Sequence, residues 1–180
     1  KILESHLDGM HLILDGFDFW SRLVRKFNAY NLMAVYGCAL LCGMEKEQVL
    51  TLLSEQMPVE GRFETLRSPK GITAIVDYAH TPDALKNVLT TIENLRNGNT
   101  RIITVIGAGG DRDAEKRPVM GQVAADLSQQ VILTSDNPRF EKPEEIIRQM
   151  MAGVPEDKRN DVLAIPDRRE AIKTAVTLAM

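Results

Sequence analysis

The run RIITVIGAGGDRDAEKRPVMG, residues 101 to 121, decides the fold. A short apolar, β-branched stretch stops at the glycines Gly107, Gly109 and Gly110, and a charged loop then leads into a segment with Pro118 near its start. Strand, tight charged loop, helix is the repeating unit of a parallel sheet. The glycines suggest a phosphate cradle, but the chain nowhere contains G-x-x-x-x-G-K-[ST]. Lys116 also lacks the following hydroxyl that would take a magnesium ion.

The same unit recurs on both sides. ITAIV (72–76) leads to a helix over 82–96, VILTS (131–135) to one over 143–151, and VLAI (162–165) to one starting at Arg168. In the helix opened by Pro82, Leu85, Val88, Leu89, Ile92 and Leu95 lie along one stripe. With 101–106, these four apolar runs separated by helices predict a doubly wound α/β domain with a mostly parallel sheet covered on both faces. RFETLR (62–67) and ITAIV flank Ser68-Pro69-Lys70-Gly71 and suggest an antiparallel pair, hence one antiparallel edge strand.

Upstream the texture differs. Residues 1–23 read as a β-hairpin broken by Asp8-Gly9 and Asp15-Gly16. A helix over 28–42, apolar nearly all round, precedes a second over 45–57 with acidic residues at its positive dipole end, and Pro58 closes the pair. A boundary near residue 59 therefore separates 1–58 from 59–180. Lys1 opens inside a strand and Met180 stands inside an amphipathic helix, so the chain reads as part of a longer protein.

Composition narrows the function. Twenty-two basic residues against 25 acidic ones, with 5% aromatics, argue against a nucleic-acid surface. The longest apolar run, within AVYGCALLCGM (34–44), is far short of the ~20 residues that span a bilayer, and no signal peptide opens the chain. The expectation is a cytoplasmic protein with no membrane or nucleic-acid partner. Cys38 and Cys42 have no third or fourth ligand nearby and read as small core residues. His6 and His11 read as surface or half-buried strand residues.

In open parallel sheets ligands sit beyond the carboxyl ends of the strands. DYAHTPD (77–83), GAGGDRD (107–113), SDNPR (135–139) and PDRRE (166–170) each follow a predicted strand, whereas the opposite ends carry plain links such as NGNT (97–100) and SQQ (128–130). Taken alone, each cluster has a structural explanation: Asp77 and His80 as helix caps, Asp111 with Arg112 as a surface pair, SDNPR as a turn. Taken together they argue for one shared site. Arg112, Arg117 and Arg139 offer planar forks for carboxylate or phosphate. Asp111, Asp113 and Asp136 beside them could orient those forks or accept hydrogen bonds from an ammonium group. An amino acid bearing both signs satisfies the set.

FNAYN (27–31), GRFE (61–64), VDYAHTPDAL (76–85), GAGGDRDAEKRPVMG (107–121) and TSDNPR (134–139), in this order and spacing, resemble the Mur ligases over essentially the whole chain. The resemblance implies an ATP- and Mg2+-dependent acid–amino-acid ligase of peptidoglycan precursor synthesis. In that family a central domain activates a peptide carboxylate as an acyl phosphate, and the C-terminal domain supplies the incoming amino acid. Residues 1–58 would end the central ATPase domain and 59–180 form most of the C-terminal one. By the same resemblance, Asn28 and Asn31 would lie on the adenine side, and Arg62, Asp77 and His80 would reach the nucleotide. Arg112 and Asp136, Asn137, Pro138 and Arg139 would form the amino-acid pocket. DNPR is the form found in members that add meso-diaminopimelate.

Physical chemistry points the same way. Diaminopimelate is lysine with a second carboxylate at its far end, and burying that anion unpaired costs several kcal/mol. An arginine clamp would attract it and leave lysine facing an unpaired cation. The chain departs from the family pattern at Arg25, where glycine is usual, and at Ala108, where cysteine is common. It contains no P-loop, and the resemblance, which also implies a monomer acting on small molecules, places the modified lysine, the magnesium ligands, the sugar-nucleotide domain and the G-K-G-H-E segment outside it, so the segment alone is expected to be inactive. A lysine-adding homologue and a non-catalytic α/β module binding an anionic metabolite are the alternatives.

Overall fold

The computed structural model of the chain describes residues 1–96 and 100–180, so most of the NGNT link lies outside the described residues. Two compact units emerge, one of residues 1–66 with 73–78, the other of residues 67–72 with 79–180.

In the first unit β1 (Ile2–His6), β2 (Gly9–Leu14) and β3 (Phe17–Ser21) form an antiparallel meander with β2 in the middle. The sequence pattern predicts a single hairpin. The chain instead reverses twice, at Leu7-Asp8 just ahead of Gly9 and at Asp15-Gly16, where Asp15 and Gly16 both take positive φ, 52° and 85°. That pair of angles follows the right-handed twist of the flanking strands and is open mainly to Gly, Asn and Asp.

Met10 and Leu12 alternate inward from β2 and meet α1 (Lys26–Leu41) and α2 (Lys46–Glu55) in a core with Leu32, Tyr36, Val49, Leu50 and Leu53. Cys38 and Cys42 are not part of it; both are exposed, contrary to the core placement expected from sequence. A helix apolar on every side carries no signal for which stripe turns inward, and Leu32 with Tyr36 take that role. β4 (Glu64–Arg67) and β5 (Thr73–Val76) pair as a separate two-stranded sheet.

The second unit contains α3 (Pro82–Leu95), β6 (Ile103–Ile106), α4 (Lys116–Leu127), β7 (Gln130–Leu133), α5 (Pro143–Ala152), a 3-10 turn (Glu156–Asp161), β8 (Val162–Ala164) and α6 (Arg168–Leu178). Its sheet is parallel, in the order β6-β7-β8, with Ile106 opposite Leu133 and Val131 opposite Val162. Val131, Ile132 and Leu133 of the central strand are fully buried, as expected of a strand covered on both faces.

α4 packs between α3 and α5, and α6 lies on β6 and β7. The helices begin where side chains can cap them. Thr81 Oγ1 accepts from Ala84 N at 3.3 Å and Asp167 Oδ1 from Glu170 N at 2.9 Å. α4 and α5 approach so closely that a Cβ on Gly121 would stand 2.0 Å from the Met150 carbonyl oxygen.

The α/β class with a parallel sheet is as read from sequence, but among the described residues this sheet has three strands, not four. Residues 73–76, expected to be the fourth, pair with β4 across a short turn in which Ser68 N donates to Ile72 O at 2.8 Å. Closing so short a loop costs little entropy. The exposed pattern of β5 also lacks the two-sided burial that a parallel interior strand needs. No helix among the described residues is long and apolar enough to cross a membrane.

Candidate functional site

The glycine-rich run and the SDNPR loop leave the carboxyl ends of neighbouring strands β6 and β7, and they touch backbone to backbone. Gly110 N donates to Asn137 O at 2.8 Å. A Cβ on Gly110 would stand 1.8 Å from Pro138 O, and one on Gly107 would stand 2.5 Å from Thr134 O. The glycines therefore serve a close loop–loop approach. A third loop joins them: Ser135 N donates to Pro166 O at 3.2 Å, and Arg168 Nη1 to Ser135 O at 3.2 Å. The three loops after β6, β7 and β8 thus form one rim.

The Arg139 guanidinium and the Arg112 side-chain stem both lie beside Gly109 on this rim. Arg139 Nη1 lies 3.3 Å, and Arg112 Cγ 3.9 Å, from the position a Cβ would take on Gly109. Arg139, at φ 49°, also donates through Nη1 to Gly110 O, which braces its guanidinium against the neighbouring loop. Arg112 is exposed and has no hydrogen-bond or ion-pair partner among the described residues. The surface pair of Arg112 with Asp111 considered from sequence does not form; the Asp111 carboxylate instead accepts from Phe140 N at 3.2 Å. Asp136 and Asn137 are exposed at the same rim, and Pro138 supplies the carbonyl that faces Gly110.

Arg117 departs from expectation. Its sequence position suggests an arginine projecting toward a ligand, but it is fully buried on the first turn of α4. Its Nη1 donates to Glu141 Oε2 and Gln149 Oε1, each at 2.7 Å, and its Nη2 to Glu141 Oε1 at 2.7 Å and Gly109 O at 3.1 Å. Glu141, which sequence reasoning does not single out, also accepts from Asp111 N at 2.6 Å through Oε1. The Arg117 hydrogen bonds, followed by that backbone donor, hold its carboxyl down at about 2. Its only sequence signal is a glutamate two residues after Arg139, which no local pattern distinguishes from a surface charge.

The residues expected on the nucleotide side divide between the units. His80 belongs to the second, where its carbonyl accepts from Lys116 Nζ at 3.0 Å. The helix cap considered for Asp77 and His80 is made by Thr81. The loop 77–83 follows β5, and so does not start from the parallel sheet as the sequence suggests.

In the first unit Asn31 Nδ2 donates to Asn28 Oδ1 at 3.2 Å on the first turns of α1, and Asn28 Nδ2 donates back to Val24 O at 2.7 Å. The Arg62 guanidinium lies over the Tyr78 ring at 4.5 Å. Asp77 Oδ2 accepts from Phe63 N at 2.9 Å and stands 3.6 Å from Arg25 Nη1. Arg25 sits at φ 82°, ψ 136°, backbone angles that favour glycine, with its guanidinium over Phe27 and Phe63. Burial lowers the Arg25 pKa, and Asp77 opposes that shift. Among the described residues no group of three or more His, Cys, Asp or Glu is arranged to hold a metal ion.

Residues 61–180 match the family model described as Mur ligase, glutamate ligase domain, and the chain belongs to the Mur ligase family. Its similarity is high to two curated relatives named UDP-N-acetylmuramoyl-L-alanyl-D-glutamate--2,6-diaminopimelate ligase. One is from Parabacteroides distasonis, at 57% identity, and one from Bacteroides thetaiotaomicron, at 53%; each match covers 99% of this chain. The chain spans 37% of the length of those relatives. A solved structure of a ligase of the same name aligns over all of this chain and 37% of its own, at 36% identity and a TM-score of 0.66. A folylpolyglutamate synthase from Thermotoga maritima aligns over 97% of this chain and 40% of its own, with a TM-score of 0.77 at 19% identity, and so shares the fold.

Proposed function

We propose that this chain is the C-terminal part of an ATP-dependent ligase that adds meso-diaminopimelate to UDP-N-acetylmuramoyl-L-alanyl-D-glutamate, a cytoplasmic step of peptidoglycan precursor synthesis. In this reading residues 1–58 end the central ATPase domain and 59–180 form most of the amino-acid-binding domain. The observation that carries it is the placing of the Arg139 guanidinium and the Arg112 stem beside Gly109 at the strand-end rim, with Asp136 beside Gly107. Two cations and an acid suit a molecule whose far end is itself an amino acid, with a carboxylate for the forks and an ammonium group for the aspartate. Lysine would bring only the ammonium group and offer no anion to the two guanidinium groups.

The names of the relatives add weight to diaminopimelate over the lysine-adding and non-catalytic alternatives. ATP would supply the phosphoryl group that activates the peptide carboxylate. Asn28 and Asn31 would face its adenine, and Arg62, Asp77 and His80 its remaining polar groups. The Arg62 cation, stacked on Tyr78, suits phosphate, whereas the segment offers no P-loop and, among the described residues, no cluster of magnesium ligands.

The test is ATP-dependent ligation by the full-length enzyme with meso-diaminopimelate, its LL isomer and lysine, alongside Arg139→Ala. Turnover with meso-diaminopimelate well above that with lysine, and loss of that preference in Arg139→Ala, is the expected result. A preference for lysine in the unmutated enzyme would overturn the reading. Isothermal titration of the isolated segment should show at most weak binding of ATP or diaminopimelate.

A further inference from the structure

We infer that Glu141 is a positioning residue for the amino-acid clamp: its carboxylate, gripped by buried Arg117, fixes the glycine-rich loop against the SDNPR loop and thereby sets the spacing of Arg112 and Arg139. The inference rests on the clamp reading above and goes beyond it, because neither Glu141 nor Arg117 touches ligand in that reading.

Five hydrogen bonds converge on the Glu141 carboxylate and its partner Arg117, one of them from Arg117 Nη1 to Gln149 Oε1. Both Glu141 oxygens accept from the Arg117 fork at 2.7 Å, and Oε1 also accepts from Asp111 N at 2.6 Å, one residue before Arg112. Arg117 Nη2 reaches the carbonyl of Gly109, the glycine flanked by the Arg139 guanidinium and the Arg112 stem. Glu141 is itself two residues past Arg139, in a turn closed by its own N–H donating to Pro138 O at 2.9 Å. One carboxylate therefore ties the residue beside Arg112 to the turn that carries Arg139.

Arg117 cannot serve as a ligand arginine. Both terminal nitrogens are committed and Nε is buried without a partner among the described residues. A bidentate carboxylate–guanidinium pair has a defined plane, so it transmits a register and not merely a charge. Loops that bind through two separated cations need that register, since a displacement of about 1 Å in a binding group can cost on the order of 100-fold.

The experiment uses the full-length ligase and steady-state KM values for diaminopimelate and ATP in Glu141→Ala, Glu141→Gln and Arg139→Ala, with melting temperatures alongside. Glu141→Ala is expected to raise KM for diaminopimelate about tenfold or more, to leave KM for ATP within about twofold, and to narrow discrimination against lysine. Glu141→Gln, which keeps one acceptor for the Arg117 fork, should fall between it and the unmutated enzyme. Should Glu141→Ala fail to fold, the same split is read from Glu141→Gln.

An unchanged KM for diaminopimelate in a folded Glu141 variant, or an equal rise in both KM values, overturns the positioning role. If Arg139→Ala also leaves KM for diaminopimelate unchanged, the clamp reading itself is wrong. A selective effect in Arg139→Ala without one in the Glu141 variants leaves the clamp standing and removes only this inference.

Discussion

Gly110 and Pro138 meet backbone against backbone: Gly110 has room for no side chain, since its Cβ would stand 1.8 Å from the Pro138 carbonyl oxygen and 2.5 Å from its carbonyl carbon. The obstacle is main chain on both sides, so rotamer changes cannot relieve it. Gly110→Ala should force the two rim loops apart and destabilise the second unit by about 3 kcal/mol, the upper range for overpacking. Chemical denaturation of the variant beside the parent checks this, and an unchanged midpoint would show that the loops are not held at this distance.

Arg112 and Arg139 should separate binding from stability. Arg139 braces Gly110 O, while Arg112 has no protein partner among the described residues. Arg112→Ala is therefore expected to leave stability within about 0.5 kcal/mol while weakening diaminopimelate binding, as for a surface side chain outside the packing. Arg139→Ala should lower both. Thermal melts and amino-acid titrations on the full-length ligase distinguish the two patterns; equal loss of stability in both variants would count against an Arg112 held by no other residue of the rim.

The Glu141–Arg117 pair should be felt in the pH dependence of stability. The folded carboxyl lies at about 2, below its ordinary 4.5, because Arg117 and Asp111 N–H stabilise the ionised form. A depressed pKa contributes stability that is fully present above the unfolded value and lost as pH falls from 4.5 toward about 2. Arg117 stays charged throughout; its pKa is raised by the Glu141 hydrogen bonds and by the nearby Asp111 and Asp113. The stability gap between parent and Glu141→Gln is expected to be wide at neutral pH and to shrink on acidification below 4.5. Urea midpoints of both proteins across that range measure it, and a gap independent of pH would mean that the carboxylate contributes nothing through its ionised form.

Arg25 carries a backbone cost that its side chain partly offsets. At φ 82° and ψ 136° a Cβ-bearing residue is strained by about 1–3 kcal/mol, and the contacts with Asp77, Phe27 and Phe63 work against that cost. Replacing Arg25 by alanine removes the contacts and keeps the strain, whereas glycine removes both. Arg25→Gly should therefore be more stable than Arg25→Ala by about 1 kcal/mol or more. Equal stabilities of the two would mean that the strain is absent.

The rim is legible in sequence because its parts are local. A β-branched run followed by glycines and then a helix opener defines a strand end by itself, and VIGAGGDRD and TSDNPR announce two such ends. What escapes is partnership across the chain. Arg117 looks like one more ligand arginine because residue type carries no record of burial, and its partner Glu141 lies 24 residues away on another loop. The inward stripe of α1 is equally hidden, since a helix apolar all round satisfies periodicity on any face.

Sequence by itself settled the alternation of parallel strands with helices, the positions of the charged loops at strand ends, and the clustering of glycines in the first turn of the rim. Hydrophobic period and backbone freedom are properties of neighbouring residues, so they can be read along the chain. Only the tertiary structure decided that Arg117 is buried, that Glu141 ties two loops together, that the Arg139 guanidinium and the Arg112 stem both flank Gly109, and that residues 73–76 pair with β4. Those outcomes depend on which polar groups find partners once water is excluded, and that competition is resolved among residues brought together only by folding.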